Sequence, residues 1–211
     1  MKNKKIIIVA ILIATFSMNL NANIFDEFHK RCEKKEAEAC LSLGVSYFKN
    51  KEYKKGCNYY TKACEYGSAN GCLNQGSIYY QMDKYKEANR LFEKACDGGS
   101  AGGCFNIAIS YGEKKEYKKM VKAYTKACDG GFNEGCRVLG LMYAKGENVE
   151  QNLSKFVNFL SKGCENGDAK LCYALGLFFE NGKDEIQKDV NKSHYYFKKS
   201  CTLGEKQGCH E

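Results

Sequence analysis

Small and aromatic residues recur along this chain at three- and four-residue intervals, and the intervals themselves repeat. One series sets a ring three positions after a small residue: Gly44 and Tyr47, Gly76 and Tyr79, Ala108 and Tyr111, Gly140 and Tyr143, Gly176 and Phe179. A second sets a small residue three positions after a large apolar one: Tyr60 and Ala63, Phe92 and Ala95, Tyr124 and Ala127, Leu160 and Gly163, Phe197 and Ser200. Residues three or four apart share a helix face, so each repeat reads as an α-helical hairpin. A single hairpin cannot bury both sides of such a face, and the units must stack. The pattern predicts a cap helix over 24–34, then helix pairs over 37–49 and 52–66, 69–81 and 84–97, 101–112 and 116–129, 133–145 and 152–166, and 169–181 and 190–203. The last two hairpins carry longer inner loops, 146–152 and 182–191. The expected fold is all-α, and the absence of proline suits it.

The cysteines repeat with the helices. Twelve of thirteen form pairs of spacing eight: Cys32 with Cys40, Cys64 with Cys72, Cys96 with Cys104, Cys128 with Cys136, Cys164 with Cys172 and Cys201 with Cys209. The first members advance by 32, 32, 32, 36 and 37 residues. Residues 1–22 read as a secretory signal peptide, with three lysines in the first five positions, an apolar run over 6–16, and Ala22 as the small residue before cleavage. Residues 23–211 would then be the mature repeat protein, in the periplasm or outside the cell, with no membrane span. Disulfides persist in those compartments, so six bridges are the expectation. Cysteines eight apart on one helix would lie about 12 Å apart, beyond the ~7 Å reach of a bridge. A turn must intervene, and Gly67, Gly99, Gly131, Gly167 and Gly204 each stand three residues after the first cysteine, where a helix needs a left-handed cap. Lys35 takes that place in the first unit. The competing pairing of Cys40 with Cys64 would orphan Cys32, Cys209 and Cys57, whereas the eight-spaced scheme leaves Cys57 alone as a free thiol.

Charge adds little. The formal net charge is +8, and loss of residues 1–22 leaves 30 basic against 25 acidic residues. Lysines alternate with glutamates as on solvated helix faces, which gives no reason to expect nucleic acid. Zinc sites favour C-x2-C ligands with histidine nearby; here no C-x2-C occurs and the three histidines are scattered, so neither metal nor cofactor is expected.

The Leu43-Gly44-x-x-Tyr47 stretch, followed by Gly56, Tyr60 and Ala63, resembles a tetratricopeptide pattern. The longer units, with Lys-Ala-Cys or its like and a cysteine eight residues on, resemble Sel1-like repeats, and the whole of about 24–209 resembles the Helicobacter cysteine-rich protein family. Ala108 and Met120 depart from the small or glycine residues usual at their positions. The resemblance implies a right-handed superhelical solenoid of disulfide-linked hairpins. It implies binding of a protein, peptide or cell-wall ligand, or alternatively weak binding and hydrolysis of β-lactams.

Candidate chemistry is sparse. A serine β-lactamase needs S-x-x-K with further elements. The match Ser46-Tyr47-Phe48-Lys49 is of a kind expected by chance in so lysine-rich a chain, Lys-Thr-Gly is absent, and Ser46 aligns with Ile78, Ser110, Met142 and Phe178, which marks a packing position. Cys57 aligns with Asn89, Val121, Val157 and His194 on the second helices. First helices line the concave surface of stacked hairpins. The repeat register places Leu41, Phe48, Lys49, Tyr80, Phe105, Arg137, Lys145, Tyr173 and Glu180 near it. Phe48, Lys49, Tyr80, Arg137, Lys145, Tyr173 and Glu180 are the candidate binding residues, and for several of the set, notably Leu41 and Phe105, the alternative is ordinary packing between repeats.

Overall fold

The computed structural model describes residues 23–182 and 186–209; the expected signal segment lies outside them. Helix α1 spans residues 23–33. It is followed by α2 (Ala37–Lys49), α3 (Tyr53–Glu65), α4 (Ala69–Gln81), α5 (Tyr85–Asp97), α6 (Ala101–Glu113), α7 (Tyr117–Asp129), α8 (Asn133–Lys145), α9 (Leu153–Glu165), α10 (Ala169–Asn181) and α11 (Val190–Thr202). Every helix lies within a residue of the bounds that the periodicity predicts, and the chain is an all-α solenoid of paired helices. A 3₁₀ turn at Lys206–Gly208, which the helical periodicity does not announce, brings Cys209 back to α11.

The repeat length follows from the elements. Each helix from α2 to α11 is 13 residues long, and the early turns contain three. Two helices and two such turns make the early period of 32. Lengthening the inner turn to 146–152, and then to 182–189, produces the periods of 36 and 37.

The outer turns, which join one hairpin to the next, share one construction. After α7, the amide of Gly131 donates to the Cys128 carbonyl at 3.0 Å and that of Phe132 to the Ala127 carbonyl at 2.9 Å. This closes the helix on a left-handed residue, Gly131 at φ 85°. The turn doubles back, and Cys128 and Cys136 come to a Cα–Cα distance of 4.7 Å and are bridged. The same bridge recurs at each outer turn. Cys32 is joined to Cys40, Cys64 to Cys72, Cys96 to Cys104, Cys164 to Cys172 and Cys201 to Cys209. The six Cα–Cα distances lie between 4.3 and 4.8 Å, and the alternative of Cys40 with Cys64 does not form. Within these pairs the second cysteines Cys40, Cys72, Cys104, Cys136 and Cys172 are almost wholly buried, each in the first turn of its helix. Cys209 differs, since it follows the 3₁₀ turn and is exposed.

The residues just before the cysteines must be small for helices to approach so closely: a Cβ added to Gly103 would lie 2.6 Å from that of Ala95. At the fourth of the joints between hairpins the sizes trade places, with Gly163 making room for Leu171. Ser100 then caps α6 through its hydroxyl, and Asp168 caps α10 through its carboxylate.

The chain divides into two compact units, one ending at Lys84 and the other starting at Tyr85. In the first, Cys32, Ala39, Cys40, Leu43 and Ala63 form the core, with Phe25, Phe28, Tyr47, Tyr59 and Tyr66 packed around it. Within the α2–α3 hairpin, Gly44 faces the ring of Tyr60 and Gly56 faces that of Phe48. In the second unit, Leu139 and Leu175 are fully buried and Ile107, Leu160, Leu171 and Phe179 nearly so. The departure at Met120 is compensated there: Gly112 stands where Phe48 stands in the first hairpin, so the bulk has moved across the helix interface.

Candidate binding surface

Helix α8 presents Arg137, Leu141 and Lys145 at intervals of four, one face of one helix. Helix α10 presents Tyr173, Leu177 and Glu180, and α6 presents Phe105 and Ile109 on the same register. The ninth residue of these first helices is aliphatic and exposed each time: Ile109 41%, Leu141 41% and Leu177 38%. Val45, at the ninth position of α2 in the other unit, is 36% exposed. Single exposed aliphatics are ordinary, but a recurrence at one repeat position is a patterned surface. The sequence reading missed it. These residues neighbour the core positions Leu43, Ile107, Leu139 and Leu175 by two places, and aliphatic recurrence alone does not tell a core flank from a solvated face.

The candidate residues separate into packing and surface roles. Phe48 is half-buried, its ring 5.4 Å from Tyr53 and 5.1 Å from Tyr60, and it fills the space left by Gly56. Leu41 packs against the first core, and Phe105 lies against Tyr124 and Phe132 at 5.4 and 4.9 Å. Tyr173 is half-buried beside Phe197 at 5.5 Å. Lys49, Lys145 and Glu180 are exposed, as is Tyr80 at 51%. Arg137 forms a two-pronged ion pair with Glu134, which holds the Glu134 carboxyl below its usual range by that hydrogen bond and the guanidinium charge. Phe48, Lys49 and Tyr80 belong to the first unit, the other four candidates to the second.

Outside that face, rings of the two helices of a hairpin stack with lysines over them. Tyr47 and Tyr59 are parallel at 5.3 Å, with Lys55 and Lys62 each 5.2 Å from a ring centre. His29 of α1 meets both hydroxyls, Nε2 at 3.3 Å from Tyr47 and Nδ1 at 3.0 Å from Tyr59. A cleft of about 530 Å³ lies beside these rings, lined also by Asn58 and Thr61. In the second unit Tyr143 stacks on Phe159 and Phe179 on Tyr196, both at 5.8 Å.

Ser46 is half-buried, and the position it shares with Ser110 and Met142 is a packing position; Ser110 itself is buried and accepts a hydrogen bond from Asn89 at 2.7 Å. Cys57 is unbridged and partly buried, and burial pushes its thiol above the ordinary range, the opposite of what an activated nucleophile requires. Among the described residues no cluster of three or more His, Cys, Asp or Glu side chains is arranged to hold a metal, and no helix is long and apolar enough to cross a membrane.

Paired helices of constant length, joined by short turns and stacked through small residues, define a helical-repeat protein. Family comparison gives the kind: the tetratricopeptide repeat matches residues 37–66, 69–97 and 101–129, and the Sel1 repeat matches 133–168 and 169–205. The chain is a Sel1- and tetratricopeptide-type repeat protein. The change from one repeat model to the other falls where the inner turn lengthens. No curated protein sequence matches the chain. Among solved structures, c5321, a protective antigen of uropathogenic Escherichia coli with an SLR fold, is 22% identical with a TM-score of 0.71; the match covers 87% of this chain and 42% of that one. This chain thus spans less than half the length of that antigen. A Sel1 repeat protein of Oxalobacter formigenes is 24% identical over 82% of this chain and 74% of its own, with a TM-score of 0.65. These two share the fold. Cysteine-rich protein B of Helicobacter pylori is 31% identical over 59% of this chain and 91% of its own, at a TM-score of 0.45.

Proposed function

We propose that this is an exported binding protein that takes an extended protein or peptide segment across the first-helix face of its second unit. One observation carries the reading: Ile109, Leu141 and Leu177 stand exposed at the same position of α6, α8 and α10. Stacked repeats offer such rows as extended contact surfaces, and exposed apolar residues rimmed by charge are the usual composition of one. Arg137, Lys145, Tyr173 and Glu180 supply the rim. An oxidising destination, the periplasm or the exterior, accords with six bridges, because cytosolic thiols are kept reduced. Hydrolysis of β-lactams is not proposed, since Ser46 occupies a helix-packing position.

The test is a photo-crosslinking side chain at position 141 of the protein exported by its own amino terminus, with a control at the exposed position 198 on α11. Crosslinking to one polypeptide from 141, absent from 198 and lost when Ile109 and Leu177 are both changed to glutamate, supports the reading. Equal products from both positions, or capture of glycan strands alone, would replace it. The amino-terminal mass of the recovered protein tests export, with Asn23 expected first.

A further inference from the structure

The hairpin of α6 and α7 lacks a ring that the two hairpins after it have, while the hairpin before it carries Leu91 at the same place. In α9 and α11 the seventh residue is aromatic, and Phe159 and Tyr196 stack on the ring at the eleventh position of the preceding helix, with interplanar angles of 9° and 6°. The hairpin of α2 and α3 is built likewise, Tyr59 on Tyr47 at 5°. In α7 the seventh residue is Ala123, so Tyr111 has no such partner within its hairpin. A cleft of about 250 Å³ opens there, lined by Glu93, Ile107, Tyr111, Lys119, Ala123 and Lys126, among others. Ile107, Ala123 and Cys96 are buried and make an apolar floor. The volume falls below the roughly 300–1,000 Å³ of pockets for drug-sized ligands and suits a single ring.

Its rim is charged and mostly committed. Tyr111 donates its hydroxyl to Glu93 at 2.7 Å, Lys119 pairs with Glu116, and Lys126 pairs with Asp97 at 3.3 Å. Burial, with the Glu93 hydrogen bond and charge behind it, pushes the Tyr111 phenol up to about 12, so the ring stays neutral. Lys122 also lines the cleft, is exposed, and has no ion pair or hydrogen bond among the described residues. One cation is therefore left for an anion at the mouth.

We infer that this cleft receives an aromatic ring bearing an adjacent carboxylate, as at the carboxyl-terminal phenylalanine of a peptide, with the ring taking the place that Phe159 and Tyr196 occupy in the next hairpins and the carboxylate meeting Lys122. The site is separate from the first-helix face, and neither depends on the other.

The probe is N-acetyl-phenylalanine, titrated into the oxidised protein and followed by backbone amide shifts. Saturable shifts at Tyr111 and over 119–126 are expected, with a Kd on the order of millimolar for so small a ligand. N-acetyl-leucine should bind about tenfold more weakly, as should the phenylalanine amide, which lacks the charge. Lys122→Gln should weaken the acid and leave the amide unchanged. Ala123→Phe supplies the missing ring internally; it should raise the melting temperature and abolish the shifts. No saturable shift at these amides overturns the inference, as does equal binding of the leucine compound. Undiminished binding by Ala123→Phe would place the ligand elsewhere, and a lowered melting temperature in that variant would show that the space does not accept a ring.

Discussion

The inner and outer turns of the second unit use the same hydrogen bonds to different ends. At the outer turn after α7, Gly131 and Phe132 donate to Cys128 and Ala127; at the inner turn after α6, Lys115 and Glu116 donate to Gly112 and Tyr111 at 2.9 and 2.8 Å. The inner turn places Lys115 at φ 59°, inside the small left-handed basin that ordinary residues can reach, whereas Gly131 sits at 85°. The outer turn alone is bridged. Both reverse the chain within three residues, so the hydrogen bonds suffice to turn it. What the bridge adds is permanence: it fixes one hairpin on the next, and with them the spacing of Ile109, Leu141 and Leu177. The Lys35 turn shows that bridge and glycine are separable, since φ 65° there still delivers Cys32 and Cys40 at 4.8 Å.

The comparison can be broken most forcefully at the bridge. Changing Cys128 and Cys136 together to alanine should cost about 2–3 kcal/mol, the chain-entropy value for so short a loop, measured by denaturant unfolding. A loss below about 0.5 kcal/mol would make the staple incidental. Next comes the turn residue. Gly131→Ala should cost about 1–2 kcal/mol from backbone strain alone, because an added Cβ meets nothing within 4 Å. Gly131→Asn should cost less, and Lys115→Ala should be near neutral, since position 115 already holds a side chain. If the two alanine variants lose equally, the turns do not differ as described. Smaller still, Lys115→Gly should gain about 0.5 kcal/mol, relief of left-handed strain set against greater freedom of the unfolded chain.

The mildest effect is on pH dependence. Tyr111, whose carbonyl closes the inner turn, has its phenol raised to about 12 by burial and then by Glu93. The unfolded chain loses that proton near pH 10. The stability it confers is therefore whole below pH 10 and is lost as pH rises toward 12. Melting curves in that range should fall more steeply for the native protein than for Tyr111→Phe; parallel curves would remove the phenol from the account.

Most of the fold was legible because small residues and cysteines fix the register twice over. Gly44 opposite Tyr60 sets how the helices of a hairpin meet, and Gly103 opposite Ala95 sets how hairpins meet. The inner turns were less legible. Lys51, Asp83 and Lys115 all hold positive φ, and no glycine announces them. The exchange of Phe48 and Gly56 for Gly112 and Met120 was half visible: the sequence shows an odd residue at 120, and only packing shows its compensation. Phe48 looked like a surface ring because its partner glycine lies on another helix. The exposed aliphatics escaped notice for the converse reason, since nothing local separates Leu141 from the core residue Leu139 two places before it. The cleft at Ala123 needed the stacked rings of the two following hairpins before an alanine became an omission.

Amide hydrogen exchange of the oxidised protein tests most directly whether bridged joints hold the first helices in place. The amides of Gly131 and Phe132 should exchange only when the whole unit opens, while those of Lys115 and Glu116 should exchange at least about tenfold faster through local opening. Equal protection at the two turns, or faster exchange at the bridged one, would contradict the account.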